Sequence, residues 1–147
     1  MRLSSLADYA VVMMSAAARH CGQAGLAAAT SKRRSKVNAT TLAAETGIPL
    51  PTAQKLVSRL SSAGLLGSSR GTGGGVRLAR PPASISLADI VEAVEGPIQM
   101  TTCVDSDRHE CALEGACQVR PHMSAVNGAV RGALQGVSLS SLAQVKA

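Results

Sequence analysis

The sequence predicts a mainly α-helical fold with one small β-hairpin: a winged helix-turn-helix followed by a long helix suited to pairing. Three observations carry this expectation. Two short amphipathic stretches meet across a tight turn at Gly47, a glycine-rich stretch lies between Leu66 and Val76, and apolar residues recur at alternating three- and four-residue spacing from Met123 to Val137.

Each element follows from local chemistry. Ser5 can cap a first helix, in which Leu6, Tyr9, Ala10, Met13, Met14 and Ala17 form one apolar face. The stretch from Cys21 to Asn38, with the basic run Lys32, Arg33, Arg34, Ser35 and Lys36, reads as an exposed loop. Thr40 caps a short helix carrying Leu42 and Ala43 that stops at Gly47. Pro51 opens another, whose buried stripe is Ala53, Leu56, Val57 and Leu60 and which ends at Gly64. Leu65-Leu66 and Val76-Arg77-Leu78 then flank the glycine-rich tip of a wing. Ser86-Leu87-Ala88-Asp89 starts a connector helix, with Ile85 stapled onto Ile90 and an end at Gly96-Pro97. From Pro121 one long helix carries Met123, Val126, Val130, Ala133 and Val137 as a coiled-coil-like seam, with Gly128, Gly132 and Gly136 opening a groove for a second helix.

Composition narrows the function. The 147 residues contain no Trp, no Phe and a single Tyr, which argues against modules that stack unpaired bases on aromatic rings. No apolar run is long enough to span a bilayer and no signal-peptide pattern opens the chain, so a cytoplasmic location is expected. The net charge of +6 is unevenly placed. Residues 1–80 hold eleven Lys/Arg against Asp8 and Glu45, a net +9; residues 81–147 hold four against seven acids, a net −3. The expected division is a DNA-binding domain over 1–80, and a connector helix, thiol loop and dimerisation helix over 81–147.

In the first part Thr52, Gln54, Lys55, Ser58 and Arg59 lie off the apolar stripe of the second short helix, free to face a major groove. Gln54 suits an adenine edge, and Lys55 and Arg59 suit phosphates or guanine. Arg70 and Arg77 of the wing complete the expected DNA-binding set. A nucleotide-binding loop is excluded because no Lys-Ser or Lys-Thr follows the glycines. No nucleophile is paired with a base, so neither an enzyme nor a small-molecule substrate is expected. In the second part Cys103, Cys111 and Cys117 are soft ligands whose spacing leaves an iron–sulfur cluster, zinc or redox thiols open. The fourth position falls to His122, His109, Glu114 or Asp8 from a partner chain; as an alternative, Asp8 fills the capping-box position of the first helix.

A resemblance bears on these alternatives. Asp8-Tyr9-Ala10, the stretch Ala43 to Thr52, the stretch Arg70 to Ala79, Ile85 to Ile98, and the triad Cys103, Cys111, Cys117 followed by Val119-Arg120-Pro121 resemble the IscR/NsrR family of winged-helix repressors, most closely the branch that regulates the SUF iron–sulfur assembly operon. The resemblance implies that the three cysteines ligate an iron–sulfur cluster, [2Fe-2S] or [4Fe-4S]. It also implies that Asp8 of the partner subunit supplies the fourth ligand, as the matching acid does in the nitric-oxide-sensing branch. The branch that uses histidine places it where Arg120 stands here, nearer the third cysteine than His122. The expected protein is thus a homodimer that binds double-stranded promoter DNA under control of its cluster. The rivals are a zinc- or thiol-redox regulator of the same fold and an iron–sulfur carrier that does not touch DNA.

Overall fold

The computed structural model describes residues 2–27, 37–71, 74–104, 111–113 and 115–144, with the backbone alone for 21–27. The basic run 32–36, His109 and Glu114 lie outside the described residues.

The central element is α1, Ser5–Ala27, which runs seven residues further than the sequence pattern predicts, into the stretch read as loop. It starts one residue earlier than a Ser5 cap allows, because Ser4 is the cap: its hydroxyl accepts the Ala7 amide at 3.2 Å, and its carbonyl accepts the Asp8 amide at 3.0 Å. Ala10, Met13, Met14 and Ala17 are fully buried as expected, whereas Tyr9 is exposed. The alanines let neighbours approach closely, and α1 is packed by α2 (Ala39–Thr46), α3 (Leu50–Ser62), α4 (Leu87–Glu95), α6 (Leu139–Gln144) and the hairpin.

The α2–α3 pair is a helix-turn-helix. Asn38, and not Thr40, caps α2 by accepting the Thr41 amide at 2.7 Å, and Gly47 ends it at φ +74°. Pro51 sits in the first turn of α3, where no intrahelical partner for its nitrogen is needed. Strands β1 (Leu66–Ser69) and β2 (Gly75–Leu78) pair antiparallel, Leu66 opposite Leu78 and Gly67 opposite Arg77. Val37 bridges β2 on the side away from β1, exchanging both backbone hydrogen bonds with Val76.

Ser86 and Asp89 form the predicted capping box of α4, with hydrogen bonds of 3.1 and 2.8 Å. The long helix α5 spans Arg120–Gln135 and then breaks, which corrects the seam extending to Val137. Past Gly136 the chain returns to the start of α4: the Val137 carbonyl accepts the Leu87 amide and the Leu139 amide donates to Ile85, both at 2.8 Å. A short α6 follows, with Leu139 completely buried. One core joins Met13, Leu42, Leu56 and Leu60 to Ile85, Ile90, Val94 and Leu139, crossing Arg80 without interruption. Among the described residues no helix is long and apolar enough to cross a membrane.

Candidate nucleic-acid interface and thiol segment

Burial of Ala53, Leu56 and Leu60 on one side of α3 turns Gln54, Lys55 and Ser58 to solvent, with Thr52 half-buried beside them. Arg70 and Arg77 are exposed on the wing. The Arg77 side chain lies across Gly67, where a Cβ would stand 3.3 Å from its Nε, so this glycine leaves room for the arginine on the ladder. Gly74 is needed for a different reason: a Cβ there would collide with the backbone of Arg70 and Gly71. The Gly74 amide donates to the Gly71 carbonyl at 2.7 Å.

Arg59 departs from the expected pattern. It is exposed, but its Nη1 donates to the Val94 carbonyl of α4 at 2.6 Å, so the guanidinium leans toward α4. Asp8 also differs from its capping reading. With Ser4 as cap, the third helical residue is Ala7, and the Ser4 amide is taken by Glu95 Oε1 at 2.9 Å. No hydrogen bond or ion pair with a described residue engages the Asp8 carboxylate, which lines an open cavity of about 1040 Å³ with Arg2, Ser4, Arg59 and Glu95.

Cys103, Cys111 and Cys117 are free thiols, each half-buried, between α4 and α5. Cys103 lies in a single 3₁₀ turn, Thr102–Val104, with its Sγ 3.2 Å from Thr101 Oγ1. His122 is exposed in the first turn of α5. Among the described residues no three His, Cys, Asp or Glu side chains converge on a common point, so the structure does not bring the triad and Asp8 together within one chain. By donor chemistry the set fits an iron–sulfur cluster: three unbridged thiols, partly shielded from water.

The polar ties holding α5 to α4 were not read from the sequence. Glu92 takes Arg131 through two hydrogen bonds of 2.8 and 3.1 Å, and the guanidinium holds its carboxyl below the usual range. Asn127, the buried polar residue of α5, accepts the Met100 amide at 3.0 Å. An Asn inside a helix of small residues was the available signal. Val126 of the expected seam stays exposed, at 44%, as does Val119 just before α5, at 55%.

Comparison with known proteins agrees in family and fold. The family model described as Rrf2, iron-dependent transcriptional regulator, matches residues 3–145. The chain is 32% identical over 92 residues to Protein aau3 of Rhizobium meliloti (strain 1021), covering 63% of this chain and 60% of that protein. It is 29% identical over 142 residues to the HTH-type transcriptional regulator IscR of Aliivibrio salmonicida (strain LFI1238), covering 97% of this chain and 77% of that one. Its fold matches CymR, the global cysteine regulator of B. subtilis, with a TM-score of 0.72 at 23% identity, over 100% of this chain and 99% of that one.

Proposed function

The chain belongs to the Rrf2 family of transcriptional regulators, and on that premise we propose that it binds promoter DNA as a homodimer, in a manner set by an iron–sulfur cluster. The observation that carries the DNA reading is the face formed by Thr52, Gln54, Lys55 and Ser58 on α3 with Arg70 and Arg77 on the wing. Gln54 has the carboxamide that pairs with adenine, and the cations neutralise phosphates. Residues 1–80 act as the DNA-binding domain and residues 81–147 as the sensing and pairing domain of a cytoplasmic regulator. The α5 face carrying Val126, with open space at Gly128 and Gly132, is the surface for the second copy.

Cys103, Cys111 and Cys117 hold the cluster, and Asp8 of the partner subunit supplies the fourth ligand. What supports Asp8 is its carboxylate, exposed and free of the capping role. Bound there, the cluster supplies a redox- and ligand-sensitive centre whose presence the chain registers. The three thiols do not converge among the described residues, so ligating one cluster requires their sulfurs to move toward a common centre, a rearrangement of the ligand set. That rearrangement biases DNA binding only by the difference in cluster affinity between the two arrangements. The target genes are those of iron–sulfur assembly, of the SUF type, with the protein acting as repressor.

Anaerobic purification with iron, sulfide and zinc analysis tests the cluster; a colourless protein with stoichiometric zinc replaces it with a zinc regulator. Gel-shift titration on the upstream regions of neighbouring genes tests the DNA reading, and binding that is absent or insensitive to salt refutes it. Asp8→Ala shortens the lifetime of the cluster in air, and an unchanged lifetime removes Asp8 from the ligand set.

A further inference from the structure

The last turn of α4 is where four parts of the fold are tied by hydrogen bonds. Arg59 Nη1 of α3 donates to the Val94 carbonyl at 2.6 Å, a group that a helix C-terminus leaves without an intrahelical partner. One residue on, Glu95 receives the Ser4 amide at the start of α1. Two residues before, Glu92 holds Arg131 of α5, and its Oε1 accepts the Ile98 amide at 3.4 Å. The chain then passes Met100, fixed to Asn127, and reaches Thr101, in contact with Cys103. Polar contacts joined by short stretches of backbone thus lead from the first thiol to the DNA-facing helix.

We infer that Arg59 is a positioning residue that sets the orientation of α3 from the end of α4, coupling the thiol segment to DNA affinity instead of contacting phosphate. This deepens the DNA-binding reading and rests on it. Leu56 and Leu60 hold α3 in the core by burial, which is non-directional; the Arg59 bond is charge-assisted and directional, so it decides the angle and not the fold. A phosphate contact and a positioning bond differ in one measurable way. Only the former releases counterions, so only the former adds to the salt dependence of binding.

The test uses a fluorescent duplex selected by the wild-type protein from a random-sequence pool. Wild type, Lys55→Met, Arg59→Met and Arg59→Lys are titrated with it at several salt concentrations, and alkylation of Cys103 by iodoacetamide is timed with and without the duplex. Lys55→Met lowers the salt slope by about one. Arg59→Met keeps the wild-type slope and binds about ten-fold more weakly, the scale of one hydrogen bond from a charged donor. Arg59→Lys, which retains such a donor, regains the affinity. DNA that favours one arrangement of the coupled elements shifts the fraction of protein with a reactive Cys103, so it changes the alkylation rate in the wild type, and the change disappears in Arg59→Met. A slope reduced by about one in Arg59→Met makes Arg59 a phosphate contact and overturns the inference. So does unchanged affinity in that variant, an effect of DNA on Cys103 that survives in it, or no effect in the wild type. If circular dichroism shows Arg59→Met unfolded, Arg59→Gln is equally neutral and gives the same slope comparison. A wild-type protein that selects no duplex overturns the DNA-binding reading itself.

Discussion

Asn38 shows how much a single side chain decides: its Oδ1 fixes the first turn of α2 by accepting the Thr41 amide. The sequence pattern assigns that role to Thr40, and the backbone chooses otherwise, because Asn38 is extended at φ −104° and ψ 165° while Thr40 is already helical. Ser61 is the opposite case. Its Oγ is buried with no hydrogen-bond partner among the described residues, so the fold desolvates a hydroxyl without compensation. Ser61→Ala is therefore expected to leave stability unchanged or raise it by up to about 1 kcal/mol, read by urea denaturation, although most truncations destabilise. A loss of more than that indicates a buried water on Ser61.

At the scale of elements, ion pairs between helices confer a defined pH dependence. Glu92 is held below its ordinary value of 4.5 by the Arg131 hydrogen bonds, and Glu45 by its hydrogen bond to His20 and then by Arg19. Because the folded state favours the ionised form of Glu92, its contribution is full above 4.5 and is lost as pH falls through the lower folded-state value. The stability gap between wild type and Glu92→Gln should be widest above 4.5 and close in acid; Glu45 titrates in both proteins and cancels from the difference. A gap constant across the acid range places its origin outside the ion pair. The helix α6 makes a second case. It has only six residues, too few to be stable alone, and it exists because Leu139 is buried against α1 and Ile85. Leu139→Ala is expected to cost about 2–5 kcal/mol, measured by thermal or chemical unfolding.

For the whole molecule the continuous core has a direct consequence. Ile85, Ile90, Val94 and Leu139 complete the apolar surroundings of α1, so residues 1–80 alone would expose the face they cover. The intact chain is expected to unfold in one cooperative transition, with coincident curves from helix content and thiol exposure. A fragment ending at Arg80 is expected to show no sharp melt. Two separate transitions in the intact protein, or a cooperatively melting fragment, would show that the two parts are energetically independent. A single unit is also what lets the thiol segment and the α3 face influence each other, since coupling needs a shared structure with more than one arrangement.

The sequence by itself determined the helix-turn-helix, the wing and the capping box of α4. Each is specified within a few residues, by Gly47 at positive φ, by Pro51 in a first turn, by the glycine tip, and by Ser86 with Asp89. It also marked the exposed side of α3, because burial of Ala53, Leu56 and Leu60 dictates which residues face water. Only the tertiary structure decided what became of Arg59, Glu92, Asn127 and Leu139. Their partners lie 35, 39 and 27 residues away for the first three, and Leu139 acquires its place only when the chain turns at Gly136 and returns to α4. Periodicity is blind to such pairings, since it records which face of an element is apolar and not which element will cover it.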